Sequence, residues 1–176
     1  MLHKPGKWNL DELVKNPNRT IFDQKIAKIE SNAKRFEKIK KSLNQKISSE
    51  KFLRLLNDVE NITEKSSVIG GYASLRYSEN TQSDEATSLL TRITKFGSDI
   101  ENRLLFFDLW WKKQVDEKNA RRLIKSAGQF SEYLRFKRLL AKYSLSEPEE
   151  RIINTLDVTG ISALVKLFDK ITIAYV

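Results

Sequence analysis

The sequence predicts an all-α protein: a bundle of long antiparallel helices, with shorter helices toward the C-terminal end. Apolar residues recur at steps of three and four along almost the whole chain. Capping residues stand where those patterns begin. The one alternating stretch, Ile171-Thr172-Ile173, is too short to count as a strand. The pattern is clearest from Thr81 to Val115, where Ala86, Leu89, Ile93, Phe96, Ile100, Leu104, Phe107 and Trp111 share one side of a helix. Thr81 is placed to cap this helix, with Asp84 at the capping-box position. Gly97 costs about 1 kcal/mol against Ala, so a packing reason or a bend is expected there. Near its end the stripe widens to Phe106, Phe107, Trp110 and Trp111. An arc that broad needs apolar neighbours on two sides, either inside a bundle or from outside the chain.

The other elements follow in chain order. Trp8 to Leu13 reads as a short amphipathic helix capped by Asn9 and stopped at Asn16-Pro17-Asn18. Thr20, with Asp23 at the capping-box position, opens a long helix whose apolar face runs Phe22, Ile26, Ile29, Ala33, Phe36, Leu43 and Ile47. Ser48 or Ser49 restarts the pattern with Phe52, Leu55, Val59, Ile62, Ile69 and Ala73. Gly70-Gly71 signals a helix break or a close helix–helix approach, with a ligand-contacting turn as the alternative. Segments 117–125 and 129–142 suggest two shorter helices broken near Gly128. Ser146, Pro148 and Glu149 make a sharp helix start, because proline's missing N–H is harmless in the first turn. Glu147, Glu149 and Glu150 there complement the helix dipole rather than bind metal. Ile152, Ile153, Leu156 and Val158 are expected on the buried side. After a bend at Thr159-Gly160, Ile161 to Tyr175 forms a last amphipathic helix, whose apolar end looks cut.

Composition narrows the function. A chain of 176 residues with 40% apolar and 10% aromatic residues is expected to fold as one domain, 1–176, with a real core. No run approaches the roughly 20 apolar residues of a membrane span, and no apolar segment follows Met1-Leu2-His3-Lys4. A cytoplasmic location without membrane contact is the plain reading. There are no cysteines and one histidine, His3. The chain therefore has no thiolate ligand or nucleophile and cannot hold a His-Glu-x-x-His zinc motif. No catalytic, cofactor-binding or metal-binding residue is assigned, and the chain alone is expected to be inactive. Residues 112–142 carry ten cations (Lys112, Lys113, Lys118, Arg121, Arg122, Lys125, Arg135, Lys137, Arg138 and Lys142) against three acids, seven of the net charge of +9. They form either a solvated face with side chains lying over apolar surface or a basic wall for an acidic partner. Nucleic acid is not the expected partner, because no aromatic–basic alternation or recognition motif is present.

Several short marks, taken together, resemble one family. Tyr143-Ser144-Leu145-Ser146-Glu147-Pro148-Glu149-Glu150-Arg151-Ile152-Ile153, followed by Thr159-Gly160-Ile161-Ser162-Ala163-Leu164-Val165-Lys166-Leu167-Phe168-Asp169, resembles the end of the amino-terminal lobe of oligoendopeptidase F. Trp8-Asn9-Leu10 is similar to that lobe's opening, Tyr72-Ala73-Ser74-Leu75 to its Tyr-Ala-x-Leu helix, and Phe106-Phe107 to its Phe-Phe pair. The marks span essentially the whole chain. Tyr143, Leu164 and Phe168 stand where many members have histidine, tryptophan and tyrosine. The resemblance implies one lobe of a cytoplasmic, wholly helical zinc metallopeptidase that cuts short peptides in a channel between two lobes. Zinc and the residues that hold it would belong to a catalytic lobe absent from this sequence. That lobe, in cis or in trans, and oligopeptide substrates of the full enzyme are the implied partners. The role left to this lobe is one wall of the substrate channel, with part of the Phe106–Trp111 arc and the last helix facing the catalytic lobe. The alternative is a free-standing helical binding module that uses 112–142 to hold an acidic partner.

Overall fold

The computed structural model describes residues 8–173. Among them it is all-α, with no strand. Three long helices form the body: α1 (Arg19–Glu37), α2 (Ser49–Glu79) and α3 (Asp84–Leu109). Four shorter ones follow: α4 (Glu117–Lys125), α5 (Ser131–Leu139), α6 (Glu147–Thr159) and α7 (Ile161–Ile173). Cross-links fix the directions. Asp23 pairs with Arg92, and Glu37 with Arg103 at 2.9 Å, so α1 and α3 run the same way. A short turn returns the chain from α2 into α3, making α2 antiparallel to both.

The first turns correct several expectations. Residues 8–14 make a single turn, not a helix. Asn9 accepts from the Asp11 amide, and the Leu13 and Val14 amides both donate to the Leu10 carbonyl. Val14 is nevertheless fully buried. Asn18 rather than Thr20 caps α1, its Oδ1 accepting from the Ile21 amide at 2.9 Å. The helix expected through Ile47 ends at Glu37 and passes through a tight turn at 38–42. Asn44 closes the following loop: its Oδ1 accepts from the Lys46 amide and its amide group donates to the Ser42 carbonyl. Ile47 reaches the core from that loop. Ser48 caps α2 as expected. α3 is capped by Ser83, whose hydroxyl accepts from the Ala86 amide. Thr81, the expected cap, is buried in the preceding turn, its hydroxyl oxygen without a partner among the described residues.

The glycines behave unlike their sequence prediction. Helices α2 and α3 continue through Gly70-Gly71 and Gly97 without a break. No neighbouring atom lies within 4 Å of where a Cβ would stand at any of the three. Neither close packing nor a break explains them.

The body's apolar stripes meet in an aromatic cluster. The Phe36 ring lies 5.4 Å from Phe107, and Phe52 lies 5.2 Å from Trp111 and 6.1 Å from Trp110. Phe107 stacks on Trp110 at 5.6 Å. Phe106, Phe107, Trp110 and Trp111 are all at most 5% exposed, so the broad arc is satisfied inside the chain and no part of it faces outward.

At residues 110–114 the end of this helix widens into a π turn, in which the Val115 amide donates to the Trp110 carbonyl. The widened turn leaves the Trp111 and Val115 carbonyls to Arg138, which donates to them at 3.1 and 2.9 Å and also reaches Glu117 at 3.1 Å. Trp111 donates in turn to the Leu134 carbonyl at 3.0 Å, and Arg138 lies over its ring. These bonds fasten α4 and α5 to the end of the body, and the break between them falls near Gly128, as expected.

Candidate interaction surface

Helices α6 and α7 form a nearly continuous fourth rod running antiparallel to α3. Glu147 pairs with Lys40 at 2.8 Å near one end, Asn154 with Asn102 at 3.0 Å in the middle, and Lys170 approaches Asp84 at 4.0 Å near the other. The capping box expected at the start of α6 is present: Ser146 and Glu149 cap each other, and Pro148 falls in the first turn. The bend between the two helices is at Gly160, where an added Cβ would stand 2.8 Å from the Leu156 carbonyl oxygen.

The rod lies with its polar side inward. Its partly buried residues are Glu147, Glu150, Arg151, Asn154 and Val158, continuing as Ser162, Lys166, Asp169 and Lys170. Steps of three and four join them into one stripe across the bend. Along that stripe Ser98 donates to the Asn154 carbonyl at 2.9 Å, and Arg151 bonds Glu147. Tyr77 donates to the Lys166 carbonyl at 3.4 Å and Gln82 to the Lys170 carbonyl at 3.5 Å. Burial lowers the Lys166 pKa, as an inward-facing ammonium requires.

The apolar side consequently faces out. Ile152, Ile153 and Leu156 were expected to be buried, and they are 49–60% exposed; of the expected set only Val158 is partly covered. On α7, Ile161, Leu164, Val165, Leu167, Phe168 and Ile171 are 49–70% exposed. The reason lies on α3, whose own apolar stripe is mostly consumed by α1, α2 and the aromatic cluster. The α3 face against α6 carries Ser98, Glu101 and Asn102, and it bonds the polar side of the rod; Leu90, Ile100 and Leu104 beside it line a groove that Ile153 and Val158 of α6 share. Ile153 lines the groove beside α3; at roughly 100 Å² apiece the other eight side chains present on the order of 800 Å² of apolar surface, above the few hundred typical of a monomer. A second exposed group (Tyr133, Phe136, Leu139, Tyr143 and Leu145) lies along α5 and the turns after it, where Leu134 alone of α5 is buried.

The basic stretch is largely spent on the chain itself. Lys112 and Lys137 flank Asp108, and Arg121 and Arg138 share Glu117. Arg135 pairs with Glu132, Arg122 donates to the Gln45 and Ile47 carbonyls, and Lys113 to the Ser144 and Leu145 carbonyls. Burial works against the Lys137 ammonium, yet Asp108 at 3.0 Å overcomes it and the pKa is raised. Lys118, Lys125 and Lys142 have no carboxylate within ion-pair distance among the described residues, and Lys142 lies over the Tyr143 ring.

No group of three or more carboxylates, histidines or cysteines that could hold a metal occurs among the described residues, and His3 lies outside them. The glycines and serines of α2 and α3 (Ser66, Gly70, Gly97 and Ser98) floor an open groove of about 450 Å³ beside α6. Glu101 lines it, its pKa raised by desolvation and secondarily by Asp157. No helix among the described residues is long and apolar enough to cross a membrane. Comparison with family models, curated proteins and solved structures finds no match to this chain.

Proposed function

We propose that the chain is the non-catalytic amino-terminal lobe of an oligoendopeptidase F-like zinc metallopeptidase. In this reading it forms one wall of the substrate channel and leaves bond cleavage to the catalytic lobe. The resemblance from Trp8 to Asp169 motivates the reading, and one observation supports it most: the outward apolar side of α6 and α7. A fourth rod that turns its polar stripe to its own body is built to be covered from the other side, as the wall of a two-lobed enzyme is. The Phe106–Trp111 arc plays no part in that contact, being buried. With most cations of 112–142 engaged internally, less charge is left for the alternative of a basic face holding an acidic partner.

The test has two arms. The purified chain is expected to release no product from a quenched-fluorescent oligopeptide, with or without added zinc. Zinc-dependent turnover that a chelator removes would overturn the reading. In the second arm a separately produced oligoendopeptidase F catalytic lobe is mixed with the chain. Binding is expected, and it should be lost in a Leu164→Glu, Phe168→Glu variant. Absence of binding by the unaltered chain would count against the assignment.

A further inference from the structure

The outward side of the rod has three properties that together select an occupant. It is sizeable: the six exposed apolar side chains of α7 present on the order of 600 Å², so two copies would bury about 1,200 Å² between them, the low end of specific interfaces. It is neutral: of the residues exposed between 152 and 172, Asp157 alone is charged, and it lines the groove. It is regular: Ile161, Leu164, Phe168 and Ile171 follow steps of three, four and three, the spacing of a helix-pairing seam.

Neutrality is the discriminating property. A chain of net charge +9 repels its own copies over most of its surface. Here two copies can approach without bringing cations together. The same neutrality disfavours an anionic membrane, since the outward side offers no lysine or arginine to its headgroups. An acidic partner finds nothing to pair with there either.

We propose that two copies of this chain associate through the outward side of α7, with the two α7 helices antiparallel across a two-fold axis. The axis passes near residues 164–168, which sets Ile161 of one copy beside Ile171 of the other. Antiparallel packing also opposes the two helix dipoles. The interface is isologous and closes at two copies. This inference does not rest on the peptidase reading: a second copy and a catalytic lobe are alternative occupants of one side, and the chain in isolation offers itself only the first.

Sedimentation equilibrium of the purified chain tests it. The expected mass is twice the chain's 20.5 kDa at submillimolar concentration, falling to the monomer on dilution. Leu164→Glu with Phe168→Glu should weaken association by more than about tenfold while far-UV circular dichroism stays unchanged, because both side chains are exposed. Should that variant lose its helicity, a second one decides. The sequence has no cysteine, so Val165→Cys introduces a single thiol beside the axis, and Lys28→Cys on α1 serves as control. Oxidation should cross-link the first and not the second. A chain that stays monomeric throughout, equal cross-linking of both thiols, or an undiminished dimer in the folded glutamate variant would each overturn the proposal. Loss of binding to a catalytic lobe would not touch it, so the two readings fail separately.

Discussion

Helix α3 and the α6–α7 rod carry the same kind of pattern and bury opposite sides of it. Both have apolar residues at steps of three and four. In α3, Ile93, Ile100, Phe106 and Phe107 are at most 5% exposed. In the rod, Leu164 and Phe168 are 66% and 65% exposed. Spacing tells which side chains share a face. It does not tell which way that face points. That is settled by what the neighbouring element has left to offer: α3 meets the middle of the rod with Ser98 and Asn102, which bond Asn154, and its nearby apolar residues Leu90, Ile100 and Leu104 line an open groove.

The sharpest way to break this contrast is to truncate matched residues on the two sides. Trp111→Ala removes a buried ring, its hydrogen bond to Leu134 and the seat of Arg138. It should cost about 3–5 kcal/mol in urea denaturation. Leu164→Ala should change the stability of the monomer by less than about 0.5 kcal/mol. Equal losses at the two positions would mean that the rod is buried after all.

A second comparison sets one glycine against another. Gly160→Ala should destabilise by about 1–3 kcal/mol, because its Cβ would meet the Leu156 carbonyl oxygen at 2.8 Å. Gly97→Ala should stabilise by about 0.5–1 kcal/mol, because its site is helical and open. Thermal melts of the two variants should therefore shift in opposite directions. Destabilisation by Gly97→Ala would show that the groove needs the missing methyl.

The smallest effect joins body and rod. Lys40 first, and Arg151 behind it, hold the Glu147 carboxyl below its ordinary pKa against some desolvation. A depressed folded-state pKa contributes stability that is present above the unfolded value of about 4.3 and is lost as pH falls through the folded one. Lys40→Met should therefore cost about 0.5–1 kcal/mol at neutral pH and less on the acid side of that window. A loss that does not vary with pH would assign the effect to packing of the lysine stem over Phe106, which it also covers.

The fold was legible because its rules are local. Ser48, Ser146 and Glu149 announce helix starts through bonds that span three residues, and the buried stripe from Ala86 to Trp111 repeats within one element. Expectation and structure part where two local solutions compete. Asn18 and Ser83 stand within two residues of the expected caps Thr20 and Thr81, and an asparagine or serine serves as well as a threonine. The long pattern from Phe22 to Ile47 continued across a turn because Leu43 and Ile47 pack from a loop almost as they would from a helix. The rod differs from its expected orientation for another reason. Its polar stripe from Glu147 to Lys170 is as regular as its apolar one and was there to be seen. Which of the two faces inward depends on the polar partners that Ser98 and Asn102 of α3 supply. The cations of 112–142 likewise looked free in sequence, because carbonyl acceptors such as those of Trp111, Val115 and Ile47 have no signature in the residue string.

The placement of the tryptophans has a spectroscopic consequence. Trp110 and Trp111 lie in the body's core, and α6 and α7 contain neither tryptophan nor tyrosine. Indole emission, to which the half-exposed Trp8 adds a constant background, thus reports mainly on the body and touches the rod only where Trp110 lies near Glu147, whereas far-UV ellipticity weighs both. If the rod loosens first, ellipticity will fall before the emission maximum shifts, and the gap between the two transitions measures how much the uncovered rod depends on a neighbour.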